Sequence, residues 1–111
     1  MELNKGDICL VNFNPAKGGE IGKLRPAVIM SSKDENSMLS TVIVIPLSTV
    51  IEENSLPYRY SIGKRDKLKQ KSDACIYEIR ALSKVRVKEK LAQLTENELK
   101  MIQKALCDIL G

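Results

Sequence analysis

Two groups of polar side chains flank apolar segments that are typical of neighbouring strands. Glu20, Lys23 and Arg25 lie in and just after a glycine-rich loop, and Ser48 and Thr49 come at the end of the next apolar segment. An arginine offers a planar fork of donors to a phosphate and keeps its charge near neutral pH. A neighbouring hydroxyl adds a short donor or acceptor. The residue types therefore favour phosphate recognition or phosphoryl-transfer chemistry.

The absence of histidine is the most restrictive feature of the composition. The chain contains no histidine among its 111 residues, which excludes every Ser-His, Cys-His or His-His acid–base scheme. An enzyme built from this chain must work with Arg, Lys, Asp, Glu, Ser, Thr, Tyr or Cys.

The three cysteines do not form a recognisable metal or disulfide framework. Cys9, Cys75 and Cys107 are widely spaced, and no Cys-x-x-Cys pair occurs. Free cysteine behaves as a small hydrophobic residue, so we expect all three to be buried structural residues.

Size and charge indicate an ordinary soluble protein. A chain of 111 residues fits one domain, here 1–111. The net charge of +4 is a mild bias toward polyanions such as nucleic acid. No stretch is long and apolar enough for a membrane helix, and no secretory leader is recognisable. We therefore expect a cytoplasmic protein that does not associate with membranes.

Alternating and apolar runs predict a sheet of short strands. The predicted strands are 7–13, 25–32, 39–48, 58–63 and 72–82, with a last short strand or turn within 83–94. Pro46 should stop the third strand or force a bulge. The segment 33–37 is expected to be a polar connection. The segment 64–71, with five cations and one anion, is expected to be a solvated loop, with polyanion contact as the alternative.

One helix is predicted at the C-terminal end, over 95–111. Thr95 and Glu98 have the spacing of a capping box, and a stripe of Leu99, Ile102, Leu106 and Ile109 should pack on the sheet. Several short strands and one terminal helix indicate a mainly β fold with a C-terminal helix, in which the sheet is strongly bent or forms a small barrel.

The segment "GDICLVNFNPAKGGEIGKLRPAVIMSS" resembles the N-terminal signature of the MazF/PemK family of toxin ribonucleases. The matching features are Gly-Asp at the first strand, Asn-Pro at the loop, Gly-x-Glu within it, and Arg-Pro before an apolar strand. "VIVIPLST", the Leu-Pro at 56–57, "YEIRAL" and the final "ILG" extend the resemblance over almost the whole chain.

The resemblance implies a fold and an activity. Family members form a small SH3-like barrel of the CcdB/PemK plasmid toxin type and assemble as homodimers. They cleave single-stranded RNA, usually mRNA at short sequence motifs, without a metal or other cofactor. Their products carry a 2′,3′-cyclic phosphate and a 5′-hydroxyl. A cognate antitoxin covers the RNA groove with an acidic, disordered segment.

The resemblance also implies roles for individual residues. The catalytic arginine of the family falls on Arg25, and its threonine falls on Ser48, with Thr49 as the alternative hydroxyl. The loop glutamate falls on Glu20, as a general base or a contact to a base edge. The attacking group would be the ribose 2′-OH, which fits a chain without histidine. A loop histidine of some members is replaced by Gly19.

RNA contacts are expected from loops and cationic segments. Lys17, Lys23 and the 64–71 cluster, including Lys64 and Arg65, could follow the RNA backbone. Gly19 in the glycine-rich loop is also expected to contact RNA. Tyr58 and Tyr60 would share one face of a strand, where packing is the favoured role and base stacking the alternative.

Two other functions compete with RNA cleavage. A CcdB-like toxin would inhibit a protein such as gyrase without catalysis, but its action depends on the extreme C-terminus rather than on an Arg-Pro loop. An SH3-like binding module would need aromatic grooves, and only 4% of the residues are aromatic.

Overall fold

The computed structural model describes residues 1–13 and 23–111. Its elements are β1 (Asp7–Asn12), β2 (Leu24–Ile29), α1 (Lys33–Met38), β3 (Thr41–Ser48), β4 (Arg59–Ile62), β5 (Ser72–Cys75), β6 (Arg80–Ser83), β7 (Val87–Gln93) and α2 (Glu96–Leu110). Two short 3₁₀ turns, Ile76–Glu78 and Lys84–Arg86, precede β6 and β7.

The strands form one antiparallel sheet that curls back on itself. The order is β4-β5-β3-β2-β1-β7, and β6 also pairs with β3. Within the path β6-β3-β2-β1-β7, the two end strands are joined by only the three residues Lys84–Arg86. Because so short a connection must bridge the ends, the five strands curl into an open barrel. The predicted SH3-like, mainly β fold with a C-terminal helix is confirmed.

The central strands β1, β2 and β3 are buried on both faces. The barrel interior contains Val11, Ala27, Ile29 and Val44 within one apolar cluster. The opposite face forms a second cluster, which includes Ile8, Val28, Ile45 and Leu47 and is covered by α2. Successive residues of a strand point to opposite faces, so each strand supplies side chains to both clusters.

The C-terminal helix follows its predicted pattern. Thr95 is the N-cap, and the reciprocal hydrogen bonds of the capping box with Glu98 are present. Ile102 is fully buried, and Leu99, Leu106 and Ile109 pack against the same cluster. The stripe therefore attaches α2 to the outer face of the barrel.

The predicted strand 72–82 is wrong, because a 3₁₀ turn divides it into β5 and β6. Leu47 and Ser48 pair with β5, whereas Thr41–Val44 pair with β6. The interruption lies opposite Ile45 and Pro46. Proline has no N–H to donate to a ladder. The chain of β5 therefore separates from β3 at Pro46, and pairing resumes with β6 at Val44. The irregularity expected at Pro46 thus occurs in the paired segment, as the 3₁₀ turn Ile76–Glu78.

Two further sequence predictions differ from the structure. The segment 33–37 belongs to α1, which Ser32 caps together with Glu35. This is the same Ser/Thr-x-x-Glu signature that predicts α2. The segment 83–94 contains β7, which has seven residues and pairs with β1. It is a main wall of the barrel rather than a short last strand.

The Gly-Asp pair at the start of β1 has a structural explanation. Gly6 adopts a positive φ of 93°, a conformation that favours glycine. The Asp7 carboxylate is 1% exposed and accepts hydrogen bonds from the Asn4 N–H and the Gln93 amide, while Lys90 Nζ lies 3.1 Å away. A buried carboxylate requires such partners, so the pair fixes β1 against β7.

Candidate active site

Arg25 and Ser48 lie at the same end of the β2–β3 ladder. Ala27 pairs with Pro46 and Val28 with Ile45, so the same register continued by two residues sets Arg25 opposite Ser48. Arg25 alternates with Ala27, and Ser48 with Val44, which are interior residues. Both side chains therefore belong to the interior face, at the mouth of the barrel.

Arg25 carries a buried donor without a hydrogen-bond partner. Its Nε is buried and has no hydrogen-bond partner among residues 1–13 and 23–111. Buried polar groups in folded proteins are nearly always paired. An unsatisfied guanidinium nitrogen at the barrel mouth is therefore suited to receive an anionic oxygen.

Ser48 is arranged as a hydrogen-bond donor. Its Oγ accepts a hydrogen bond from the Val50 N–H at 3.2 Å. A hydroxyl has one proton and two lone pairs, so this contact orients the oxygen and leaves the proton for a ligand.

Thr49 lies on the other face of the sheet. It lines a cavity of about 220 Å³ together with Pro26 and residues of the segment 67–72. Thr49 therefore lies away from the interior face to which the register assigns Arg25 and Ser48.

A second arginine, which sequence reasoning missed as a site residue, reaches the same face. Arg80 pairs with Val44 across β3 and β6, and its Cζ lies 4.8 Å from the centre of the Phe13 ring. Phe13 is a diagonal neighbour of Arg25, because Val11 pairs with Arg25 and the Phe13 N–H donates to the Lys23 carbonyl. Arg25 and Arg80 are therefore both neighbours of one buried ring.

Arg86 adds a third cation at the end of β1. Its Nη1 donates to the Asn12 carbonyl at 3.0 Å. The arginines come from β2, β6 and the turn before β7, so their proximity depends on the long-range pairing of β1 with β2 and β7 and of β3 with β6. The signal in the sequence for Arg80 is its alternation with Leu82, a residue of the interior cluster.

Three predicted site residues, Glu20, Lys17 and Gly19, lie outside the described residues. Lys23 is exposed at the start of β2, with its carbonyl bonded to the Phe13 N–H. Lys64 is exposed as well.

Arg65 is held by the fold rather than presented to solvent. Its Nη2 donates to Glu98 Oε2 at 2.7 Å, and its Nη1 contacts Glu98 Oε1. Further hydrogen bonds run to the carbonyls of Gln93 and Gly63. The hydrogen bond from Arg65 is the main cause that lowers the pKa of the Glu98 carboxyl.

Tyr58 makes its ring contact with Tyr77 and not with Tyr60, which was expected to share its face. It is 55% exposed and makes an edge-to-face contact with Tyr77, with ring centres 5.9 Å apart. Tyr60 instead packs against the core beneath α2. The exposed aromatic pair is therefore Tyr58 and Tyr77.

A larger cavity of about 640 Å³ adjoins the end of β3. Asp73 lines it and is the β5 partner of Ser48. The buried Asp73 carboxylate accepts the Glu52 N–H at 2.8 Å and lies 3.7 Å from Arg59 Nε. These contacts fix the segment after Ser48 as one wall of the cavity.

The buried cysteines are poor nucleophiles. Burial is the main cause that raises the pKa of the Cys9 thiol to about 12, and burial also raises the pKa of Cys75. A reactive cysteine needs a stabilised thiolate, so neither thiol serves covalent catalysis. Cys107 is exposed, so the expectation of three buried cysteines is wrong for this residue.

Within the described segments, no group of three or more His, Cys, Asp or Glu side chains could hold a metal ion. In the same part of the chain, no helix has the length and apolar character needed to cross a membrane.

Comparison with known proteins identifies the family. The PemK-like, MazF-like toxins of type II toxin–antitoxin systems match residues 4–110. The chain belongs to this family. It is 34% identical over 110 residues to Endoribonuclease MazF of Staphylococcus saprophyticus, covering 98% of this chain and 92% of that protein. The Endoribonuclease MazF of Staphylococcus epidermidis matches to the same extent.

Solved structures of MazF proteins share the fold. MazF from Deinococcus radiodurans superposes with a TM-score of 0.83 at 21% identity, covering 100% of this chain and 98% of the other. A mycobacterial endoribonuclease in complex with its cognate antitoxin gives a TM-score of 0.73 at 20% identity, covering 99% and 94%. The predicted resemblance to the MazF/PemK toxins is confirmed, as is the predicted class of toxin endoribonuclease.

Proposed function

We propose that this MazF/PemK-family chain cleaves single-stranded RNA by attack of a ribose 2′-OH on the adjacent phosphate. The observation that carries the proposal is the buried, unsatisfied Nε of Arg25, which the β2–β3 register, continued by two residues, sets opposite Ser48. The relatives named Endoribonuclease MazF support the substrate. They do not support the alternative of a CcdB-like toxin that inhibits a protein target.

The reaction needs no nucleophile from the protein. A bond forms between the 2′-oxygen and phosphorus, and the bond from phosphorus to the 5′-oxygen breaks. The products are a 2′,3′-cyclic phosphate and a 5′-hydroxyl. One proton leaves the 2′-OH and one reaches the departing 5′-oxygen. Glu20 in the β1–β2 loop is the candidate group for the first transfer.

Arg25 and Ser48 act on the phosphate in this proposal. The Arg25 guanidinium stabilises the charge that grows on the non-bridging oxygens, which a fixed cation does best where water is partly excluded. The Ser48 hydroxyl donates to one of these oxygens. Holding the 2′-oxygen in line with the leaving oxygen accounts for much of the remaining acceleration.

RNA bases and flanking phosphates would be bound around this pair. The cavity of about 640 Å³ beside Ser48 has room for a base, and the exposed Tyr58 ring can stack on one. Lys23 and Lys64 are exposed and can follow the backbone, as can Lys17 in the β1–β2 loop. Arg65 would contribute indirectly, by holding the segment 64–71 against α2.

The chain would work as a single toxin domain in the cytoplasm, where its mRNA substrate is found. The family match to residues 4–110 supports one domain. A cognate antitoxin with an acidic segment would cover the arginine-rich mouth. The mycobacterial endoribonuclease in complex with its cognate antitoxin supports an antitoxin as a partner.

We further infer a homodimer. Met38, Leu39 and Val85 are exposed apolar residues, and the hydrogen bond from the Lys84 N–H to the Ser40 carbonyl joins the segments that carry them. Contiguous exposed apolar surface is typical of subunit interfaces, and light scattering would measure the mass.

The proposal is tested by cleavage of a mixed-sequence RNA in EDTA, with the chemistry of the new ends mapped. We expect 2′,3′-cyclic phosphate and 5′-hydroxyl ends. A matched RNA with a 2′-deoxyribose before the cleaved bond should resist cleavage at that bond alone. Cleavage of the deoxy substrate, or 5′-phosphate ends, would contradict the mechanism.

A further inference from the structure

The cationic segment 64–71 lies beside the candidate active site, on the opposite face of the sheet. Its residues Lys67, Lys69 and Gln70 line the cavity of about 220 Å³ that also contains Pro26 and Thr49. Pro26 directly follows Arg25, and Thr49 directly follows Ser48. The cavity is therefore one residue away from the catalytic pair on both strands.

The β2–β3 ladder ends beside this pair. β2 begins at Leu24, one residue before Arg25, and β3 ends at Ser48. A polymer that crosses Arg25 and Ser48 at the barrel mouth can pass over this edge and enter the cavity on the other side.

The cationic segment is held in a fixed conformation. Leu68 is 4% exposed within the core, and its backbone exchanges hydrogen bonds with Arg65. The Lys67 N–H donates to the Leu91 carbonyl of β7 at 3.0 Å, and Arg65 is bound to Glu98. The two lysines that flank Leu68 thus extend from a backbone that is held in place. This lowers the entropic cost of binding a ligand between them.

The lysine charges are only weakly compensated. Lys67 Nζ lies 3.8 Å from Glu89 Oε2, with both side chains more than half exposed. Lys69 Nζ donates to the Asp66 carbonyl at 3.3 Å. Exposed ion pairs contribute little free energy, so both ammonium groups can turn to an anion at small cost.

We propose that Lys67 and Lys69, together with Thr49, bind an RNA backbone phosphate adjacent to the cleaved one. This rests on the proposed RNA cleavage at Arg25 and Ser48. The site would bind the backbone without reading sequence, because ammonium groups contact phosphate as point charges.

The test compares the Lys67→Ala/Lys69→Ala double variant with a Lys100→Ala/Lys104→Ala double variant. Lys100 and Lys104 are exposed on α2 and do not line the cavity, so the control removes the same charge elsewhere. Binding is measured by fluorescence anisotropy over a series of KCl concentrations, with an RNA made resistant to cleavage by a 2′-deoxyribose at the cut site.

We expect the first double variant to bind more weakly and to show a salt dependence shallower by about 0.7 in slope, because each lost phosphate contact on a single strand contributes about 0.7 and both lysines bind the same phosphate. In cleavage assays its KM should rise while kcat stays within about twofold. The loss should disappear for a short RNA that has only the cleaved phosphate.

Two results would overturn the site. One is a salt slope and KM for the first double variant equal to those of the control. The other is unchanged RNA binding with weaker binding of a short Asp/Glu-rich peptide, which would indicate a protein partner. Failure of the proposed function is a separate outcome, because an Arg25→Ala variant would then cleave at the wild-type rate whatever the lysines do.

Discussion

The Ser48 hydroxyl oxygen accepts a hydrogen bond from the Val50 N–H at 3.2 Å. This contact distinguishes Ser48 from Thr49, because the sequence alone makes either hydroxyl a candidate for the catalytic role. Ser48 is oriented with its proton free on the interior face of the barrel. Thr49 points into the cavity on the opposite face. We therefore propose Ser48 as the hydroxyl that shares a phosphate with Arg25.

Removal of the Ser48 hydroxyl should lower the rate of the chemical step. We expect Ser48→Ala to reduce kcat by about 10²-fold, the size of the loss when one transition-state donor is removed. Ser48→Thr should retain most activity, since it keeps the hydroxyl. Single-turnover cleavage at saturating enzyme measures the effect, and Thr49→Ala is the comparison, because we expect its loss to affect RNA binding rather than the rate of the chemical step. A larger loss of kcat for Thr49→Ala than for Ser48→Ala would transfer the role to Thr49.

Arg80 should support the catalytic site through its charge. Its guanidinium stacks on Phe13, a neighbour of Arg25, so it raises the positive potential where the phosphate binds. We expect Arg80→Ala to reduce kcat/KM by about tenfold and to make the salt dependence of RNA binding shallower by about 0.7. Arg80→Lys keeps the charge and should recover the salt slope. A loss of activity for Arg80→Ala with an unchanged salt slope would mean that Arg80 serves packing only.

The ion pair of Arg65 and Glu98 should make stability depend on pH in the acidic range. The hydrogen bond from Arg65 lowers the pKa of Glu98 below its ordinary value of 4.5. The folded state therefore holds its proton less tightly than the unfolded state. The stabilisation is fully present above about pH 4.5 and is lost as the pH falls through the lower, folded-state pKa.

Urea unfolding of Glu98→Gln at pH 7 and at pH 3 tests this linkage. We expect a loss of about 1–3 kcal/mol at pH 7 and a smaller difference from wild type at pH 3. The glutamine oxygen can still accept the Thr95 N–H, so the capping box is kept. Glu96→Gln in the same helical turn is the control. Equal effects of the two substitutions would contradict the assignment.

The thiols should differ sharply in reactivity. Cys107 is exposed, whereas Cys9 and Cys75 are buried with raised pKa values. Since the thiolate is the reactive form, iodoacetamide at pH 8 should modify one site in the folded protein and three in urea. Intact mass spectrometry counts the adducts. Rapid modification of Cys9 in the folded protein would show that the barrel opens.

Local patterns in the sequence predicted most elements of the fold. Thr95 and Glu98 identify α2 because a capping box is a contact within one turn. The equivalent pair Ser32 and Glu35 caps α1 but precedes a polar segment without an apolar stripe, so the helix was not predicted. A helix was thus predicted from the sequence where both a capping box and an apolar stripe were present.

The parts that could not be predicted depend on long-range pairing. The division of 72–82 into β5 and β6 follows from Pro46 in a different strand, which cannot donate to the ladder. The choice between Ser48 and Thr49 depends on the register of β3 against β2. Arg80 joins the site only because β6 pairs with β3 and brings the guanidinium over Phe13.

The most direct test of the account is the single-turnover cleavage rate of Arg25→Ala in EDTA, with the melting temperature measured to confirm folding. Arg25→Lys separates charge from the planar fork, and Lys100→Ala controls for the loss of one positive charge. We predict that Arg25→Ala reduces the rate by about 10²- to 10³-fold with little change in melting temperature, and that Arg25→Lys recovers only part of it. Cleavage by folded Arg25→Ala at the wild-type rate would contradict the account.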